Sequence, residues 1–389
     1  MEARLRAVEF SVAKADLLKE LTFLNNVVEK KTTIPILSNL LLTGEAGPGG
    51  ALTLAGTDLD ATLKTSCAAT IKHSGTALLP ARRLFDIARN LPDADIRFKS
   101  DGNGNMNLTC EGSRFRLFSP APENYPSLPE LPELPLSVPA AIVRAMIPRI
   151  LFATSQEESR YQLNGVQMVV GGGAASESKR RLLRMVATDG HRLAFIEKPE
   201  CVAGGALGKP INLLIPKKTM AEIARLAADA ADGDIAFGQD DRHAFFRVGT
   251  RTFVSRLLAG QFPNYEMVMP KNNDKTIAFE TERLVAAFRR VGVIADEMTR
   301  AVKLHASEGR VEITAQSPES GEAGETLGVD YPGPSVTITF NVGYLMDFLS
   351  AVHAAQVSFE FKDEISQIQL RPTEGDGYDY RYVVMPMRA

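Results

Sequence analysis

Apolar residues recur at helical spacing in six separate stretches of this chain, and between those stretches they alternate or run in short blocks broken by Asp, Gly, Ser and Pro. The first helical stretch is Val12–Val28, with Leu17, Leu18, Leu21, Leu24 and Val28 on one stripe. The same spacing opens two later units. One is Val138–Phe152, with Ser137 as a candidate cap, Pro139 in the first turn and Pro148 expected to kink or end the helix; the other is Thr281–Ala295. Each is followed by a second helical stretch: Pro80–Leu91, Pro216–Ala228, and Val342–His353 after Asn341. The segments Ala51–Thr65, Leu183–Glu197 and Arg310–Val329 read as strand, turn, strand. A motif order that repeats over so long a period predicts three similar α+β domains, each with two helices packed on antiparallel sheets. The expected boundaries are 1–131, 132–268 and 269–389, with Pro126–Pro135 and Met269–Lys275 as linkers. Runs of strands with few helices exclude a regularly alternating parallel α/β fold.

Charge changes the picture. The chain of 389 residues has a net charge of −3, which by itself speaks against nucleic acid. The helical stretches are sorted differently. Four of the six carry +2, Val12–Val28 is neutral and Val342–His353 is −1, so together they hold about +7 and the remainder about −10. Positive helices over an acidic exterior would suit a duplex lying along the helical surface, touching phosphates without reading bases. No zinc-finger spacing, RNP-type aromatic pattern or basic block is present.

Composition adds little more. Hydrophobic residues make up 44% and charged residues 23%, ordinary for a soluble globular protein. Cys67, Cys110 and Cys201 lie far apart, as expected of reduced, buried thiols. No apolar run reaches the roughly 20 residues of a membrane span, and the N-terminus lacks the apolar core of a signal peptide, so a cytoplasmic protein is expected.

The most conspicuous candidate site is ATDGHRLAF, Ala187–Phe195. Asp189 and His191 could form an acid–base pair in a hydrolase. Two residues apart around a glycine they instead fit a tight turn in which the Asp side chain caps its own backbone. No nucleophile motif accompanies them, and five scattered histidines give no metal cluster, so no catalytic residue, metal or cofactor is assigned. Neighbouring carboxylates such as Asp58 and Asp60 form no metal set, and the Gly-rich stretch Val169–Ser176 reads as a hairpin tip. The end of the chain, Tyr382–Ala389, is unusually apolar, with two Met flanking Pro386. It fits either a last strand closing the core or a pliable groove for partner peptides. A scaffold that binds only protein is the third alternative.

Eight segments settle on one resemblance: TIPILSNLLL from Thr33, GTDLDATL from Gly56, LPARRLFDI from Leu79, RYQLNGV from Arg160, VATDGHRLA from Val186, FPNYEMVMP from Phe262, FNVGYLMDFL from Phe340 and YVVMPMR from Tyr382. In this order and spacing the chain resembles the bacterial beta sliding clamps, the processivity subunits of DNA polymerase III. The resemblance implies three clamp domains, a head-to-tail homodimer closed into a ring around double-stranded DNA, helices lining the hole and no catalysis in this subunit. Implied partners are the replicative polymerase alpha subunit, the clamp loader, and other polymerases and repair proteins carrying short clamp-binding motifs; no membrane is involved.

Carried over residue by residue, the resemblance implies a peptide pocket whose deep part is lined by Leu163, Thr188, Gly190, His191, Arg192, Leu193, Pro263, Val268, Val383 and Met385. A neighbouring groove would comprise Arg160, Asn341, Tyr344, Ile365, Pro386, Met387 and Arg388. Implied DNA contacts are Lys31, Arg82, Glu157, Tyr161, Gln162, Lys217 and Lys218. Glu157 stands where many members have Gln, Gln162 where a second Tyr can occur, and Met267 where some carry a pocket-edge Arg. At the ring seam, Phe115 and Leu117 would meet Val293 and Ile294 of the other subunit, with Arg114 and Arg116 facing Glu319, Glu322 and Glu325.

Overall fold

The computed structural model describes residues 8–28, 33–47, 50–157, 159–171, 181–205, 210–230 and 232–387. Lys31, Arg388 and most of the Gly-rich stretch, residues 172–176, lie outside the described residues. The chain divides into two compact units, Met1–Ser137 with Asp229–Arg256, and Val138–Ala228 with Leu257–Ala389. Every described strand pairing within them is antiparallel. Among the described residues no helix is long and apolar enough to cross a membrane.

In the first unit, α1 (Lys14–Val27) and α2 (Ala81–Asn90) pack together. Helix α1 starts two residues later than its apolar pattern, because Val12 and Ala13 finish the strand Glu9–Ala13. Its stripe Leu17, Leu21, Leu24 and Val27 is fully buried, each side chain contributing about 1.5–3 kcal/mol. Seven strands run side by side in the order Asp234–Gln239, His243–Val248, Arg251–Arg256, Ala61–Ala68, Ala51–Thr57, Asn39–Glu45, Gly75–Pro80. A separate five-stranded sheet has the order Thr70–His73, Glu9–Ala13, Asp95–Ser100, Asn105–Cys110, Ser113–Phe118.

The second unit contains α3 (Ala140–Met146), α4 (Pro148–Leu151), α5 (Lys217–Asp229, its last residue counted with the first unit), α6 (Thr281–Val291) and α7 (Val342–Ala351). Pro148, which has no N–H to donate, divides the stretch read as one helix into α3 and α4. Ser137 does not cap α3: it lies in the strand Leu136–Pro139, and Pro139 holds the cap position with no side-chain bond. An eight-stranded sheet has the order Ile211–Pro216, Gly165–Val170, Leu183–Thr188, Arg192–Lys198, Asp379–Val384, Ile368–Pro372, Gln356–Phe361, Lys275–Glu280. A four-stranded sheet follows Gly321–Gly328, Arg310–Ser317, Ala301–Ser307, Val336–Asn341.

Two expectations about charge need correcting. Arg149, counted among the helical positives, is buried. It pairs with Asp376 at 2.6 Å, its guanidinium lies over Tyr378 and Tyr380, and its carbonyl accepts the Tyr380 hydroxyl at 2.7 Å. A charge taken out of water needs such partners, so this one serves the core. The surface outside the helices is also not uniformly acidic: the outward face of the five-stranded sheet collects Lys72, Arg97, Lys99, Arg114 and Arg116, all exposed. Of the cysteines, Cys110 and Cys201 are buried as expected and Cys67 only partly so; all three are free thiols.

Candidate functional site

The site grows from one turn. Strands Leu183–Thr188 and Arg192–Lys198 pair in the register Thr188↔Leu193, leaving Asp189, Gly190 and His191 to reverse the chain. The Thr188 hydroxyl donates to the Arg192 carbonyl at 2.6 Å and accepts from Gly190 N at 3.1 Å. The Asp189 carboxylate accepts from the backbone N–H groups of His191 and Arg192 at 3.0 and 3.1 Å, and from Arg192 Nε at 2.9 Å. A carboxylate so committed holds a turn rather than orienting an imidazole, which removes the basis for the acid–base pair. Gly190 has φ +91°, and a Cβ there would meet Arg160 Nη1 at 2.6 Å. Glycine is therefore needed both for the conformation and for the close approach of the guanidinium, which donates to the Asp189 carbonyl at 3.0 Å.

Arg192 fixes the turn to its surroundings. Its guanidinium also donates to Asp347 on α7 at 2.5 Å and to the Phe152 carbonyl at 2.9 Å, and lies 4.5 Å over the Tyr344 ring. His191 stacks on the same Tyr344, ring centres 6.3 Å apart. The last strand, Asp379–Val384, pairs alongside Arg192–Lys198, and the chain continues with Met385 N donating to the His191 carbonyl at 3.0 Å. The reading of the chain end as a last strand closing the core fits Val383 and Val384, whereas Met385 emerges 41% exposed.

Between these elements lies a cavity of about 280 Å³. The ten residues expected in its deep part all line it, joined by Tyr265, which sequence reading passed over. The FPNYEMVMP segment had drawn notice for Pro263 and Val268, and its aromatic was the available signal. Tyr265 packs on the cluster of Val186, Leu193, Phe195 and Val383 and accepts from Arg184 Nη1 at 2.9 Å, and burial raises its hydroxyl pKa. Met267, next in the chain to the lining residue Val268, is 79% exposed, as is Ile365. Gln367 donates to the Val268 carbonyl at 3.3 Å, tying the loop of Ile365 to the cavity edge. Asn341 caps α7 through Gly343 N at 2.8 Å and donates to the Thr299 carbonyl; Met387 N donates to the Thr339 carbonyl at 2.8 Å, with Pro386 half-buried between.

The residues expected on DNA fall in both units. Arg82 is exposed on α2 of the first. In the second, Tyr161 and Gln162 are exposed on the short turn Tyr161–Leu163. The Asn164 carbonyl accepts from Lys217 N at 3.0 Å, so this turn adjoins Lys217 and Lys218 at the start of α5. Glu157 is exposed and paired with Arg160 at 3.0 Å, which offsets its negative charge.

The expected seam residues lie on the last strand of one sheet and in the turn after α6. Ser113–Phe118 ends the five-stranded sheet, and its register puts Phe115 opposite buried Leu108 and Leu117 opposite buried Met106. Phe115 and Leu117 therefore extend a core face beyond its cover. Val293, after α6, is 77% exposed and Ile294 half-buried. Glu325 is engaged within its own unit by Arg290, and Arg116 by Asp101.

Comparison with known proteins gives a consistent result. Three family models, the N-terminal, central and C-terminal domains of the DNA polymerase III beta subunit, match residues 8–129, 137–264 and 266–388. The beta sliding clamp of Pseudomonas aeruginosa is 35% identical over 386 residues, covering 98% of this chain and all of the relative; that of Escherichia coli K12 is 34% identical over 384 residues with the same coverage. A crystal structure of the Pseudomonas aeruginosa sliding clamp bound to griselimycin aligns with TM-score 0.87 at 34% identity, covering 98% of this chain and all of that one.

Proposed function

This chain belongs to the DNA polymerase III beta subunit family, the bacterial beta sliding clamps, and from that footing we propose that it encircles duplex DNA and tethers partners through the cavity beside the Thr188–Arg192 turn. As a processivity subunit it leaves catalysis to the polymerase it serves. The observation that carries the binding role is the cavity itself: largely apolar walls that include the pliable Met385 side chain, on a turn locked by Arg192. An aromatic or leucine anchor of a short peptide fits such a site, the rest of the peptide following the groove past Tyr344 and Pro386. A structure of a 34%-identical relative bound to griselimycin supports a ligand-accepting surface in this family. Candidate partners are the polymerase alpha subunit, the clamp loader and repair proteins, all met in the cytoplasm.

On this reading the chain forms domains 1–131, 132–268 and 269–389, and two copies close head to tail. Phe115 and Leu117 on the open core face would be covered by Val293 and Ile294 of the partner copy. Arg114 would reach Glu319 and Glu322, while Arg116 and Glu325 keep their internal partners. Arg82, Tyr161, Gln162, Lys217 and Lys218, with Lys31, would touch phosphates diffusely, as sliding without sequence preference requires.

The test is topological. Loaded on nicked circular DNA, the protein should co-elute with it in gel filtration and be released when the circle is cut once. Equal retention on linear DNA with free ends would refute encirclement. For the pocket, Gly190→Ala should cost about 1–2 kcal/mol of stability through its positive φ. It should also weaken peptide binding about tenfold by displacing Arg160, as read by calorimetric titration; unchanged affinity would detach the turn from the binding role.

A further inference from the structure

The outward face of the five-stranded sheet belongs to neither the pocket nor the helices. Its register aligns two cross-strand rows: His73, Glu9, Lys99, Asn107, Arg116, and Thr70, Ser11, Arg97, Thr109, Arg114. A bulge between Glu9 and Phe10 adds Lys72 beside His73. Glu9 is only 4% exposed, yet four basic groups surround its carboxylate: Arg97, Lys72 at 3.4 Å, Lys99 at 3.6 Å and His73 at 3.8 Å. The bond from Arg97 outweighs burial and holds Glu9 down to about 2, so it stays ionised and neutralises one positive charge. The side chains of Lys72, Arg97 and Lys99 remain 61%, 55% and 60% exposed. Among the described residues of this sheet, the other acids are Asp95 at the far end of its strand, Asp101, already bound by Arg116, and Glu111 in the turn after Cys110. Positive charge in excess of its internal acid is thus concentrated on a flat face of a chain whose net charge is −3.

We propose that this face binds single-stranded nucleic acid through its phosphates, with Lys72, Arg97 and Lys99 as the principal contacts. Phosphate binding needs only such cations, with polar Ser11, Thr109 and Asn107 between them and the exposed aromatic Phe118 at the edge for a base to stack on. An acidic protein partner would need an apolar anchor pocket for affinity, and the two rows hold no apolar side chain. Single strand is favoured over duplex because exposed Phe118 offers a stacking surface that only unpaired bases can reach.

The probe is a fluorescent oligothymidylate of about 16 nucleotides, followed by anisotropy against the full-length protein over a range of salt. Three phosphate contacts predict a slope of about −2 for log affinity against log salt. Lys72→Glu/Lys99→Glu should weaken the oligonucleotide about tenfold or more, and the milder Lys72→Gln/Lys99→Gln by an intermediate factor, both leaving retention on circular duplex unchanged. Arg82→Ala/Lys217→Ala should do the opposite. The proposal is overturned if both sheet variants bind the oligonucleotide like wild type, if the helix variant abolishes that binding, or if polyglutamate competes as well as the oligonucleotide.

Discussion

Removal of residues 385–389 should reduce affinity for a synthetic peptide carrying leucine and phenylalanine anchors about a hundredfold. Met385 is a wall of the cavity, and Pro386 and Met387 follow it in the chain, where the proposed peptide path would continue. Losing a Met side chain from a buried contact costs about 1.5–3 kcal/mol, and each 1.4 kcal/mol is tenfold in affinity. The fold should survive the truncation. The last strand ends at Val384, whose pairings with Arg192 and Ile368 lie before the cut. His191→Ala removes a second wall and its stacking on Tyr344, so it should weaken the peptide in parallel, with dimer formation unaffected. Fluorescence polarisation on both variants decides the matter: peptide affinity within threefold of wild type after truncation would mean that the cavity is not where partners insert.

Local pattern carried much of this architecture. Apolar residues at helical spacing located the six helical stretches to within a few residues, one of them divided at Pro148, and the Asp-containing hairpins fell where the turns are. The repeat is physical as well as textual. Thr57 and Asp58 hold the first-unit turn with the same bonds that Thr188 and Asp189 make, the hydroxyl donating to Ala61 O and accepting from Leu59 N, the carboxylate accepting from Asp60 N and Ala61 N. Arg256 N donates to Asp60 O as Met385 N does to His191 O. Leu59 stands at φ +77° where the second turn has Gly190, so only the latter gives Arg160 room to approach. What pattern could not reveal is what distance in sequence conceals. Arg149 reads as a surface helix cation until Asp376 and Tyr380 fold over it. The basic sheet face is assembled from residues between Lys72 and Arg116 that no window gathers, because only strand register sets them side by side. Tyr265 was missed because an aromatic in a Pro-rich loop gives no periodic signal.

The largest effect on stability is expected from Arg251→Met. Arg251 is 5% exposed and clamps Glu20 of α1, 231 residues away, with two bonds of 2.7 Å, while a third reaches Asp229 at 2.5 Å. Thr65 adds a hydroxyl bond to Glu20 at 2.6 Å, Lys19 pairs with Asp229 at 3.4 Å, and Phe23 lies 4.0 Å beneath the guanidinium. Once the guanidinium is gone, the Glu20 carboxylate is left in the core with the Thr65 hydroxyl as its partner. Breaking a buried pair from one side costs about 3–5 kcal/mol. At about 2–4 °C per kcal/mol for a unit of this size, the first unit's thermal transition should fall by roughly 10 °C. Asp229, less buried and still held by Lys19, absorbs its loss more cheaply. Replacing both charges, Glu20→Met with Arg251→Met, should recover most of the loss, since two apolar side chains of similar size need no partners. Calorimetry on the two singles and the double closes the cycle. If Arg251→Met shifts the transition by less than about 2 °C, or the double variant is no better than the single, then the ion pair is not what binds α1 to the strand Arg251–Arg256.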